Sequence, residues 1–126
     1  MSTRLDNPYS ALKRIYHEPS RLAIMSALCR SSSGLTFNQL KIECDLTDGN
    51  LSSHLKMLEE STVISIAKTF RGSKPLTTIV LTDSGRENFI YYLKALEEVL
   101  MKAAEAVRSE DEGIPLHVLR LKPAGM

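Results

Sequence analysis

At 126 residues, 43% of them hydrophobic, the chain has room for one domain with a single modest core. Its N-terminal stretch MSTRLDNPYSALKRIYHEPS holds no apolar run suited to a signal peptide, and nowhere do eighteen apolar residues follow one another, which argues against secretion or a membrane span and predicts a soluble, cytoplasmic protein. The formal net charge of +1 is unevenly spread: residues 1–82 carry ten Lys/Arg against seven Asp/Glu, residues 83–112 four against eight, and from Ser61 to Thr82 Lys68, Arg71 and Lys74 stand with no acid at all. A basic stripe on a nearly neutral protein predicts an anionic partner met by one surface.

In chain order, Asn7 can cap a first helix with Pro8 at its opening position, and ALKRIY continues it toward Pro19. Pro19 opens a second helix with an apolar stripe of Leu22, Met25, Leu28 and Cys29, and SSSG at 31–34 ends it. Thr36 and Gln39 form a capping box for a third, which buries Phe37, Leu40 and Cys44. Cys29 and Cys44 are the only cysteines and are not spaced as a zinc or redox pair, so they are expected to be reduced packing residues. Neither a metal nor another cofactor is expected.

After the short turn in ECDLTDGN, Thr47 or Asp48 caps a fourth helix over 48–60 with Leu51, Leu55 and Leu58 on its buried face. The opposite face carries Gly49, Asn50, Ser53, Lys56 and Met57, with Ser52 and His54 on the flanks. Glycine, asparagine and serine are poor helix formers on a surface that usually takes Glu, Lys and Ala. Small side chains let a helix approach the floor of a DNA major groove, Asn50 can pair with adenine N6 and N7, and Lys56 can meet phosphate or guanine. Thr36 and Asn38, at the start of the third helix, complete the candidate DNA-contacting set on the helical side. His54 is open to a packing role as well.

From Val63 the period changes. Val63, Ile64, Ile66 and Phe70, then TTIVLT, predict two strands, and RGSKP between them predicts a tight hairpin with Arg71 and Lys74 at its tip. Lys68 is either a further DNA contact or an edge charge that discourages aggregation. Thr82 caps a long last helix over 83–108, along which Phe89, Leu93, Leu96, Leu100, Ala103 and Val107 alternate steps of four and three, as a coiled-coil seam does. The seam can pair with a second copy or cover the chain's own first helix; its width predicts a homodimer. Residues 109–126 are expected to form a mobile tail.

The stretches HEPSRLAIMSAL, LTFNQLKIECDLTDGNLSSHLKMLEESTVI and KPLTTIVLTDSGR resemble the winged helix-turn-helix domain of MarR-like and ArsR-like transcriptional regulators, over about His17 to Phe89. The resemblance implies a mainly α (α+β) fold, a winged helix-turn-helix DNA-binding part at 17–82 with a two-stranded β-hairpin wing, followed by a long C-terminal dimerisation helix at 83–108. It further implies a dimeric cytoplasmic regulator of double-stranded DNA, with 48–60 in the groove and Arg71 and Lys74 on the wing. ArsR-like metal sensors often carry two cysteines one residue apart near the recognition unit; this chain has only Cys44 there, and His17, His54 and His117 form no close pair with it, so no metal site is carried over. MarR-like proteins hold a ligand pocket between their DNA-binding and dimerisation parts, which makes a small-molecule effector an implied partner that no motif identifies. An enzyme is not expected: Ser53 beside His54 lacks an orienting acid, and no phosphate-binding glycine loop is present. The alternative is a winged helix that binds protein and not DNA.

Overall fold

A computed structural model describes residues 14–110. The expected first helix from Pro8 falls largely outside them; its described end, Arg14–Tyr16, is a 3-10 turn. The tail beyond Glu110 lies outside them too. Helix α1 (Pro19–Cys29) starts at the predicted proline, with the Glu18 carboxylate accepting from the Arg21 N–H. After strand β1 (Leu35–Thr36), helix α2 (Phe37–Cys44) opens on the Thr36–Gln39 capping box with both of its hydrogen bonds in place, and α3 (Asp48–Glu60) opens on Thr47. Strands β2 (Ile64–Arg71) and β3 (Lys74–Leu81) form the hairpin, and α4 (Asp83–Glu110) runs for 28 residues, about 42 Å.

The sheet has three strands, in the order β1-β3-β2, all antiparallel. The sequence predicts two. Strand β1 is too short to show a period, and it exists because Leu35 and Thr36 pair with Ile79 and Thr78, a contact between segments over forty residues apart. This third strand holds the base of the wing and leaves its outer half a two-stranded ribbon.

Ile24, Met25 and Leu28 of α1, Leu40 of α2, Leu51, Leu55 and Leu58 of α3, and Ile64 and Ile79 of the sheet make the centre of the core. Cys29 and Cys44 pack at its margin unpaired, and burial pushes both thiols up, which keeps them protonated at neutral pH. Tyr16, Phe89 and Tyr92 close it on one side. Phe89 is 0% exposed, with its ring centre 5.1 Å from that of Tyr16 and 5.9 Å from that of Tyr92. The first member of the expected seam is therefore a core residue of its own chain, because the opening turns of α4 cross the body before the helix leaves it. Tyr16 donates to Asn88 Oδ1 at 2.7 Å, and His17 Nδ1 lies 2.9 Å from the Tyr92 hydroxyl. Desolvation pushes the Tyr16 phenol up to about 12.

Candidate nucleic-acid interface

Three residues, Asp45 to Thr47, join α2 to α3. Asp45 ends α2 in the left-handed region at φ 55°, and the Lys41 ammonium lies 2.9 Å from Asp48 at the first position of α3. That ion pair offsets an acid that would otherwise face any anion approaching the start of α3. Leu51, Leu55 and Leu58 anchor one face of α3 in the core, and Gly49, Asn50, Ser52, Ser53, Lys56 and Met57 are exposed on the other. A Cβ at Gly49 would meet no atom within 4 Å outside its own helix turn among the described residues, and its φ is not in the left-handed region. Nothing among the described residues calls for glycine there, although it costs the helix about 1 kcal/mol against alanine.

His54 departs from the exposed set. It is half-buried, its Nδ1 is 3.2 Å from an Arg21 guanidinium nitrogen, and its Nε2 is 3.8 Å from Glu18 Oε1. A guanidinium can only donate, so Nδ1 is the accepting atom of that contact. Arg21 also donates to the Ile15 carbonyl at 2.6 Å and reaches Met57 Sδ at 3.4 Å. Arg21 thus ties α3 to α1 and to the turn before it. Sequence reasoning did not single it out, because a lone arginine near a helix start looks like any solvated charge.

In the wing, Gly72 and Ser73 connect the strands, and Gly72 has φ +65° at the first central position, where a type II′ hairpin turn requires glycine. Arg71 pairs with Lys74 directly across the turn. The alternation of side chains puts Lys68, Phe70, Thr77 and Pro75 on one face of the ribbon and Arg71 and Lys74 on the other. The basic cluster predicted from sequence is therefore divided between two faces of a narrow ribbon. All three cations are exposed. Thr36 and Asn38 border an open notch of about 210 Å³ with Pro75, Leu76 and Thr77, which brings the start of α2 beside the wing. The Thr36 hydroxyl is already engaged there, accepting from the Gln39 N–H at 3.1 Å.

Residues 20–100 match a family model described as a winged helix DNA-binding domain. An uncharacterised protein of Methanocaldococcus jannaschii is 35% identical over 88 residues, which cover 68% of this chain and 95% of that one. The solved structure of a transcriptional regulator homologue from Pyrococcus horikoshii superposes with a TM-score of 0.70 at 30% identity, over 80% of this chain and 97% of the other. MepR of S. aureus, solved in complex with DNA, has the same fold at 20% identity, with a TM-score of 0.61 over 87% of this chain and 85% of its own. The chain belongs to the winged helix DNA-binding domain family and has the MarR-like build that its sequence resembles.

Proposed function

We propose that the protein is a homodimeric, sequence-specific transcriptional regulator that lays α3 in the major groove and the wing tip on the adjoining backbone. The observation that carries this is the outward face of α3, where Gly49, Asn50, Ser52 and Ser53 trade helix propensity for close approach without any internal need, beside an acid-free basic ribbon. Asn50 and Ser53 read base edges; Lys56, Lys68, Arg71 and Lys74 meet phosphates, and Thr36 and Asn38 approach the backbone from the start of α2. Selecting bound duplexes from a random pool tests the function and returns the operator together. A pool that yields no enriched duplex would favour a protein partner instead. No helix among the described residues is long and apolar enough to cross a membrane, and a cytoplasmic site of action fits this role. The place for a small effector to act is the half-open hollow of about 330 Å³ bordered by Tyr16, Ser61, Thr62, Ser84 and Asn88, between the end of α3 and the start of α4.

Two expectations follow from the faces described. Gly49→Ala should raise stability by about 0.5–1 kcal/mol, the helix-propensity difference, and yet weaken operator binding, because the added methyl projects toward the groove. Urea unfolding and a DNA titration on the same preparation check both signs; a variant that gains stability and keeps full affinity would leave the glycine without a role. Replacing Arg71 and Lys74 by Ala should flatten the slope of log affinity against log salt by up to about four units in a dimer, at about 0.9 per phosphate released. A slope that does not move would take the wing off the DNA.

A further inference from the structure

Phe70 leaves 71% of its surface in water, although the aliphatic side chains that precede it on the same face of the wing, Ile64, Ile66, Ile79 and Leu81, are turned into the core or its margin. A phenyl ring left exposed forgoes the free energy of its burial, and an edge ribbon is better protected by a charge. Its cross-strand neighbour is Pro75, and Lys68 and Thr77 follow on the same face. Strand β1 reaches no further than Thr78. From Lys68 outward the ribbon is two strands wide and extends about 10 Å, at 3.3 Å per residue. Its turn adds only Gly72 and Ser73. Phe70 and Pro75 thus form a slender apolar tip, flanked by Lys68 along its own face and by Arg71 and Lys74 on the other.

We propose that Phe70, backed by Pro75, is an apolar wedge that enters the minor groove beside the half-site and opens a base step there. This rests on the DNA-binding function proposed above and adds a source of specificity that the recognition helix does not supply. Charge selects the occupant. An apolar centre with cations on both sides suits a groove walled by two phosphate rails, and the stretch from Ser61 to Thr82 contains no acid to oppose it. The minor groove of B-DNA is about 6 Å wide, so a ring enters only where the duplex opens. Pyrimidine–purine steps open at the lowest cost, and the wedge therefore favours TA or CA/TG at a fixed offset outside the sequence read by α3.

The test uses the full-length protein and its Phe70→Ala and Phe70→Leu variants. Each is carried through selection from a random duplex pool, a gel assay of DNA bending and a salt titration. Wild type should enrich a pyrimidine–purine step flanking each half-site and bend the selected DNA by about 20–90°. Phe70→Ala should lose the bend, the flanking preference and about a hundredfold in affinity, tenfold for each of the two aromatic contacts that a dimer makes, while its salt slope stays unchanged because no charge is removed. Phe70→Leu should retain part of the bend, since leucine also serves as a wedge. An alanine variant that bends and selects as wild type does would overturn the proposal, as would one whose salt slope falls with its affinity. A wild type that selects duplexes without bending them removes the wedge and leaves the regulator intact. If wild type selects no duplex, the DNA-binding function fails first and the wedge with it.

Discussion

Leu100→Glu combined with Val107→Glu should convert the protein into a folded monomer that holds a single half-site weakly. The buried residues of α4 end at Ala95 and Leu96 is the last of the helix to pack against the core, so beyond it Leu100 is 53% and Val107 42% exposed, with Met101 beside them. Leu93, Leu96, Leu100, Met101 and Ala104, with Glu97 among them, form a shallow, largely apolar face along the helix. Each large side chain left in water forgoes roughly 1.5–3 kcal/mol that a second copy of the helix would recover. Leu96 is spared in the variant because it also packs against the core of its own chain, where a carboxylate would unfold the protein. Circular dichroism should be unchanged, and sedimentation equilibrium should give half the wild-type mass. Operator affinity should drop by on the order of 10²–10⁴, the avidity lost with the second half-site. A wild type that sediments as a monomer at tens of micromolar would sink the dimer.

Gly85→Ala is expected to have the largest effect on folding. The first turn of α4 lies directly on the backbone of Val63: the Thr82 N–H donates to the Val63 carbonyl at 3.1 Å, the Thr82 hydroxyl donates to the Thr62 carbonyl at 2.8 Å, and the Gly85 N–H donates to the Thr82 hydroxyl at 2.9 Å. A Cβ at Gly85 would overlap the Val63 carbonyl and its Cα, which are main-chain atoms that no rotamer change can move aside. The cost should reach or exceed the upper end of the usual 1–3 kcal/mol for overpacking. At about 4–8 °C per kcal/mol, the melting temperature should fall by at least about 10 °C. The sign is opposite to that expected for Gly49→Ala, the same substitution near the start of another helix. An alanine variant as stable as wild type would show that the two backbones separate at little cost.

Much of this architecture was legible because local chemistry decides it. Pro19 marks a helix start by its fixed φ and missing N–H, the Thr36–Gln39 box, Thr47 and Thr82 do so through hydrogen bonds made within a few residues, and Leu51, Leu55 and Leu58 reveal the buried side of α3 by spacing alone. What stayed hidden depends on distant partners. Leu35 and Thr36 become a strand only when Ile79 and Thr78 arrive beside them, and Phe89 leaves the expected seam only because Tyr16 and Tyr92 enclose it. His54 sits at the edge of the exposed face by angle, and its engagement by Arg21 depends on where α1 crosses α3. The division of Lys68 from Arg71 and Lys74 was within reach, since strand alternation predicts it; counting charges along the sequence obscured it.

The aromatic junction at the base of α4 makes the helix a lever. Tyr16 with Asn88 and His17 with Tyr92 fasten its opening turns to the body, and its outer half carries the apolar side chains that a second copy would cover. Over the roughly 27 Å of helix beyond Tyr92, a tilt of about 7° displaces the far end by about 3.3 Å. That is one base-pair rise, about 3.4 Å along the duplex. Two such rods joined in a dimer would act as calipers, whose setting on the half-site spacing is held by the packing and hydroxyl contacts of Tyr16 and Tyr92, far from either recognition helix.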